Sequence, residues 1–245
     1  MTKIIATIEA RMTSNRLPGK VLLPALGMPM LTHLITRLKS VESIDDIVIA
    51  TTVNDADQPI VNFAKENGIH CFRGSEEDVM SRVIAAAESL DADVVVEITG
   101  DCPIIDPDIV EQTIQIYIHN NVDYVSNGHI RSYPDGMDTQ VFSLETLNKS
   151  ASMTNEKLDH EHVTLHIRNN PEIFSHLYLI APPSLYWPEL GLTLDEEADY
   201  RILKEIIETI GVDNSLFSCA EAINFLRQHP ELVNVNKGVI RKGDN

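Results

Sequence analysis

Apolar positions recur along this chain in two rhythms, and the rhythms alternate. Residues 4–8, Ile-Ile-Ala-Thr-Ile, form a short apolar run that predicts a buried strand. Apolar side chains at 30, 31, 34, 35 and 38 then follow helical spacing. Residues 46–51 are β-rich, and 54–68 predict a helix with Asn54 as its N-cap and Gly68 as its stop. A strand over 69–72 and a helix over 76–89, capped by Ser75, come next. Residues 93–99, Asp-Val-Val-Val-Glu-Ile-Thr, give the strongest strand signal, and 108–120 the next helix, with Asp106 as cap and Pro107 at its first position. Strands alternating with helices predict an α/β fold of three layers, Rossmann-like, with a mostly parallel sheet between helices.

Beyond 120 the rhythm loosens. Residues 122–126, 138–142 and 174–180 read as strands, 158–167 as a helix, and 133–136 (Tyr-Pro-Asp-Gly) as a turn. Residues 127–185 therefore read as a small inserted subdomain with antiparallel elements, suited to an acceptor site or a dimer contact. A strand at 192–194 and helices over 196–210 and 220–228 close what is expected to be a single domain, 1–245.

Charge changes this picture at one place. The chain of 245 residues has a formal net charge of -18, which argues against nucleic acid and anionic membrane surfaces as partners. Yet the stretch after the first strand, Ala10-Arg11-Met12-Thr13-Ser14-Asn15-Arg16-Leu17-Pro18-Gly19-Lys20, holds three cations and, from Arg11 onward, no acid. A loop leaving the C-terminal end of a strand is where open α/β sheets bind ligands. Small polar residues such as Ser14 let backbone N–H groups approach a phosphate. The familiar phosphate motifs are excluded: there is no G-x-G-x-x-G, and Ser14 and Val21 stand where a P-loop needs Gly and Ser or Thr. Spacing alone leaves two readings open, a phosphate-binding loop or a surface loop with solvated cations.

Carboxylates supply the second half of a possible site. Asp101, in Thr99-Gly100-Asp101-Cys102-Pro103, follows the strongest strand and either holds a hard cation such as Mg²⁺ or is an ordinary turn residue. Asp195 follows the strand at 192–194; it reads as a helix N-cap and, equally, as a second metal carboxylate with Asp199 assisting. His160-Glu161-His162 with His166 invites a zinc reading, but Thr164 breaks H-E-x-x-H, and a polar contact is the expectation. Arg73-Gly74-Ser75 with Asp78 and Arg82 is another polar cluster, in which spacing alone makes Arg82 a solvated side chain. Cys71, Cys102 and Cys219 are far apart, which fits reduced thiols in a cytoplasmic protein. No signal-peptide core and no membrane-crossing run is found.

Taken together these motifs resemble the cytidylyltransferase superfamily, and in particular its spore coat polysaccharide biosynthesis protein F branch, related to acylneuraminate and Kdo cytidylyltransferases. The likeness runs through Tyr133-Pro134-Asp135-Gly136, Glu161-His162-Val163-Thr164 and Thr193-Leu194-Asp195, in the family's order. It implies a glycosyltransferase-A-like nucleotidyltransferase fold, a homodimer, and Mg²⁺-dependent transfer of CMP from CTP to a sugar acid, with release of pyrophosphate for surface polysaccharide or glycan. A phosphorylated or phosphonylated acceptor with CTP or GTP is the alternative; an inactive binding homologue is the third reading.

By the same resemblance, Arg11 and Lys20 neutralise the triphosphate with help from Arg16, beside Ala10 and Ser14. Gly74, Ser75 and Arg82 lie near the base, and Asp101 and Asp195 hold Mg²⁺. Asp135, Gly136, Gln140, Glu161 and His162 face the acceptor. Three positions depart from the branch: it usually has Arg at Glu97, Glu at Gln140 and often Arg at His160. These departures bear on the acceptor, not on the catalytic set.

Overall fold

The computed structural model describes residues 2–241. Its principal sheet has seven strands in the order β5-β4-β1-β6-β8-β7-β9: His70–Gly74 (β5), Asp46–Thr52 (β4), Ile4–Glu9 (β1), Val94–Thr99 (β6), Gln140–Ser143 (β8), Tyr124–Ser126 (β7) and His176–Tyr178 (β9). A two-residue pair, Pro24–Ala25 (β2) and Met28–Pro29 (β3), forms a separate hairpin. The strands β5, β4, β1 and β6 run parallel, β8 is antiparallel to both β6 and β7, and β9 is parallel to β7. The mostly parallel α/β sheet is thus as expected.

Strand alternation sets the layers. On β1 and β6 the side chains of Ile4, Ala6, Ile8, Val94, Val96 and Ile98 face one core, with helices Met30–Leu38 (α1), Gln58–Asn67 (α2) and Pro107–Ile118 (α4). Ile5 and Val95 face the other, with Val79–Glu88 (α3) and Leu144–Met153 (α5). The period of two then puts Glu9, Glu97 and Thr99 on the α3 side, where the strands end. A third apolar cluster carries Glu197–Thr209 (α8) and Cys219–Gln228 (α9). Two short helices, Lys157–Glu161 (α6) and Leu165–Asn169 (α7), and a last one, Pro230–Val235 (α10), complete the described elements.

Several local expectations are corrected. Ser75 is not the cap of α3: Asp78 is, accepting from Ser81 N at 2.8 Å, while the Ser75 hydroxyl accepts from Asp78 N at 3.0 Å. The helix expected over 54–68 opens as a 3-10 turn, Asp55–Asp57, capped by Asn54, before α2 begins. The helix expected over 158–167 breaks at His162-Val163-Thr164, where Val163 has φ 37°. The strand expected at 192–194 is not a strand: its Leu192 N donates to Asp135 O and its Leu194 N to Asp101 O, so it bridges two loops without joining the sheet. Asp195 is not the cap of α8; Glu196 is, in a capping box with Asp199.

Candidate active site

From β1 the chain turns to β4 on one side, while β6 lies on the other. Between β1 and β6 the connections diverge, which opens a crevice at their C-terminal ends. The cationic loop leaves β1 and the Thr99-to-Pro103 loop leaves β6, so the two strongest motifs meet there. Gly100 makes the approach possible. Its N–H donates to Glu9 O at 2.9 Å, and a Cβ at this position would lie 2.7 Å from that oxygen.

The loop is held open by its own bonds. Asp57, fully buried, accepts from Met12 N at 2.6 Å and from Thr52 N at 3.2 Å, fastening the loop to β4. Gly19 N donates to Met12 O at 2.9 Å, closing the loop's far end. Lys20 is thereby aimed back at the crevice. Its Nζ lies 2.8 Å from Asp101 Oδ2 and 3.0 Å from Asp195 Oδ1, and Arg16 Nη2 lies 2.8 Å from the same Asp195 oxygen. Burial opposes charge on Asp101, but Lys20 and hydrogen bonds outweigh it and hold the carboxyl below its ordinary value. Burial likewise opposes the Lys20 ammonium, and the two carboxylates more than restore it.

Asp195 reaches this cluster because buried Asp199 grips its backbone, accepting from Asp195 N at 3.1 Å and Glu196 N at 2.9 Å. The other Asp199 oxygen takes Asn236 Nδ2 at 2.8 Å and Arg241 Nη2 at 2.9 Å. Asp199 therefore positions the second carboxylate and does not join it, contrary to the expected assisting role. The donor chemistry of the Asp101–Asp195 pair suits Mg²⁺, because two hard oxygens already share one cation and this metal takes one or two carboxylates plus substrate oxygens.

Two cavities meet at that pair. One, of about 700 Å³, is lined by Ala10, Arg11, Ser14, Arg16, Lys20 and Arg82 among others. Arg82 is 4% exposed, not solvated: its guanidinium donates to the Ser75 carbonyl, and its stem packs on Gly74. Gly74 and Ser75 thus stand behind Arg82 and not at the cavity wall. The second cavity, of about 610 Å³, is lined by Asp135 and Gln140, while Arg16, Asp101, Glu161, His162 and Asp195 line both. Gly136, at φ 102°, packs its backbone against Leu192 behind Asp135.

The floor of the second cavity explains two of the three departures. Glu97 and Gln140 stand opposite each other across β6 and β8, and Gln140 Nε2 donates to Glu97 Oε2. The Gln140 carbonyl oxygen accepts from the Tyr124 and Thr164 hydroxyls. Beside them Glu9 has its carboxyl pushed well above the usual range, by burial first and by Glu97 second. His160, the third departure, faces away from this floor: its Nδ1 lies 3.0 Å from Asp78.

Sequence reading missed Arg241 and Arg131. Arg241 Nε lies 3.3 Å from Asp135 Oδ2 and its Nη1 donates to Thr193 Oγ1 at 2.6 Å; Arg131 Nη1 lies 3.2 Å from Asp135 Oδ1. A lone arginine more than a hundred residues from its carboxylate leaves no local signal.

A crevice at the switch of a parallel sheet, three cations on one side and paired carboxylates at its centre, defines an α/β nucleotidyltransferase. The comparisons with known proteins are more specific. A cytidylyltransferase family model matches residues 5–205, and the chain belongs to that family. It is 33% identical over 236 residues to spore coat polysaccharide biosynthesis protein SpsF of Bacillus subtilis, covering 94% of this chain and 97% of that one. It is 30% identical over 112 residues to a 3-deoxy-manno-octulosonate cytidylyltransferase of Geobacter metallireducens, covering 46% of this chain and 43% of that one. A cytidylyltransferase structure from Leptospira borgpetersenii superposes with a TM-score of 0.90 at 29% identity, covering 99% of this chain and all of that one.

Proposed function

We propose that this protein transfers CMP from CTP to a sugar acid of the nonulosonic type and releases pyrophosphate, supplying an activated sugar for surface polysaccharide or glycan. The observation that carries this reading is the junction of the two cavities at Asp101 and Asp195, with Lys20 between them. CTP lies on the cationic side and the acceptor on the other, so the α-phosphorus falls at the junction. Arg11, Arg16 and Lys20 bind the triphosphate and stabilise the charge that grows on the departing pyrophosphate. Asp101 and Asp195 hold Mg²⁺, which supplies further neutralisation of phosphate charge when bound. Asp135, Gln140, Glu161 and His162 orient the acceptor.

One observation favours a second reading. Arg131, Arg168 and Arg241 line the acceptor cavity, and they suit a phosphate or phosphonate as well as a carboxylate. An inactive homologue is disfavoured by the intact Lys20–Asp101–Asp195 cluster. The likeness also supports a cytoplasmic homodimer, which light scattering in solution tests, and an acceptor role for residues 127–185.

The deciding experiment is pyrophosphate release with Mg²⁺, crossing the four nucleoside triphosphates with free nonulosonic acids, Kdo, sugar 1-phosphates and aminoalkyl phosphonates. Release with CTP and a free sugar acid is expected. Release only with phosphorus-bearing acceptors overturns the first reading in favour of the second.

A further inference from the structure

Asp138 lines the acceptor cavity. Its neighbour Asp135 is fully engaged: Arg131 holds one oxygen, while Arg241 and the Thr193 hydroxyl hold the other. Arg131 acts on the Asp138 carboxyl as well, less strongly than Asp135 does. The Asp138 Oδ2 accepts a long bond from Gly136 N, 3.3 Å, and the carboxyl also hydrogen-bonds that of Asp135. Its Oδ1 occupies space that a side chain at 128 would fill, since a Cβ there would lie 2.5 Å from it; Gly128 leaves this oxygen room. The same cavity reaches Asp101 and Asp195.

We propose that Asp138 is the base that takes the proton from the attacking hydroxyl of the acceptor. This rests on the sugar-acid reading, because a free hydroxyl carries a proton that must leave, whereas a phosphate or phosphonate oxygen is already ionised. The acceptor oxygen bonds to the α-phosphorus as the bond from that phosphorus to the bridging oxygen breaks. The electron pair departs with pyrophosphate. The hydroxyl proton passes to Asp138 and then to solvent. A base works best when its pKa lies near the working pH. Burial, and then the charge of Asp135, push the Asp138 carboxyl up to about 7, with Arg131 opposing. The groups facing it are Asp135 and Arg131 from its own loop, Cys102 after β6, and Arg241 through Asp135; His129 lines the same cavity.

The test measures pyrophosphate release with saturating CTP, Mg²⁺ and Kdo or a nonulosonic acid, from acid to alkaline pH, alongside CTP affinity by calorimetry. For the wild type, kcat is expected to rise with pH and level off above about 7. Asp138→Asn, which keeps the bond from Gly136, is expected to lose roughly 10²–10⁴-fold in kcat with CTP affinity unchanged. The acid limb should vanish with it, and Asp138→Glu should restore part of both. An Asp138→Asn enzyme within threefold of wild type on a free sugar acid, or one that keeps the acid limb, overturns the base and leaves the sugar-acid reading standing. Turnover confined to phosphorus-bearing acceptors overturns both.

Discussion

The two sides of the crevice are built by opposite means. The proposed nucleotide side draws its cations from one stretch of ten residues, Arg11 to Lys20. The proposed acceptor side gathers Glu97, Gln140, Asp135, Asp138, Arg168 and Arg241 from separate segments, and its carboxylates either pair with arginine, as Asp135 does, or are pushed up by burial and a neighbouring carboxylate, as Asp138 is. A compact, highly charged group is matched by one contiguous cationic loop, whereas a wall assembled from many segments can change one residue at a time. Glu97 and Gln140 illustrate the second case: they face each other across β6 and β8 and bond each other although they lie 43 residues apart in the chain.

The comparison breaks most sharply at the junction. Asp101→Ala is expected to abolish pyrophosphate release while far-ultraviolet dichroism stays that of the wild type, since Lys20 keeps Asp195 as its partner. Lys20→Ala removes a charge donor at the reacting phosphate, a loss of about 2.7–4 kcal/mol in transition-state stabilisation by analogy with other preorganised donors. Near-normal turnover by either variant would mean that the nucleotide side is not what the fixed charges indicate.

Arg241→Ala sharpens the comparison from the other side. It frees Asp135 and Thr193 and removes one partner of Asp199, which keeps Asn236 and its grip on the Asp195 backbone. The acceptor KM should rise about tenfold, equivalent to about 1.4 kcal/mol, with CTP affinity unchanged in calorimetry. An equal loss in CTP affinity would show that the two sides are not separable.

The smallest effect is on stability. Asp138 has an ordinary value of 3.8 and a folded value of about 7, so the folded state keeps a proton that the unfolded chain releases. Stability attributable to this group therefore falls as pH rises between those values and stays low above them. Asp138→Asn removes the penalty, so its gain in Tm over wild type should be larger at pH 8 than at pH 4.5. A gain independent of pH would show that Asp138 is not protonated in the folded protein.

Much of this was legible in the chain itself. The alternation of periods two and 3.6 determined the parallel sheet and its helices, because each rhythm buries apolar surface only in its own secondary structure. The cationic loop and Asp101 were legible because both follow strands whose ends define the crevice. Arg82 was misread as solvated, because helical spacing alone cannot show that its stem packs on Gly74 and its head bonds Ser75. Asp195 was misread as a cap, because the choice between Asp195 and Glu196 depends on which one Asp199 reaches.

Only the tertiary structure could decide those points, and it alone joined Arg241 to Asp135 and Asp57 to Met12. The physical reason is one of range. Propensity, periodicity and capping act over a few residues and are written locally. Burial raises Glu9 and Asp138, the Glu97 charge adds to it at Glu9, and Lys20 holds Asp101 low against burial; Glu97 and Lys20 lie about eighty to ninety residues from the groups they act on, and both burial and approach exist only after the sheet has formed.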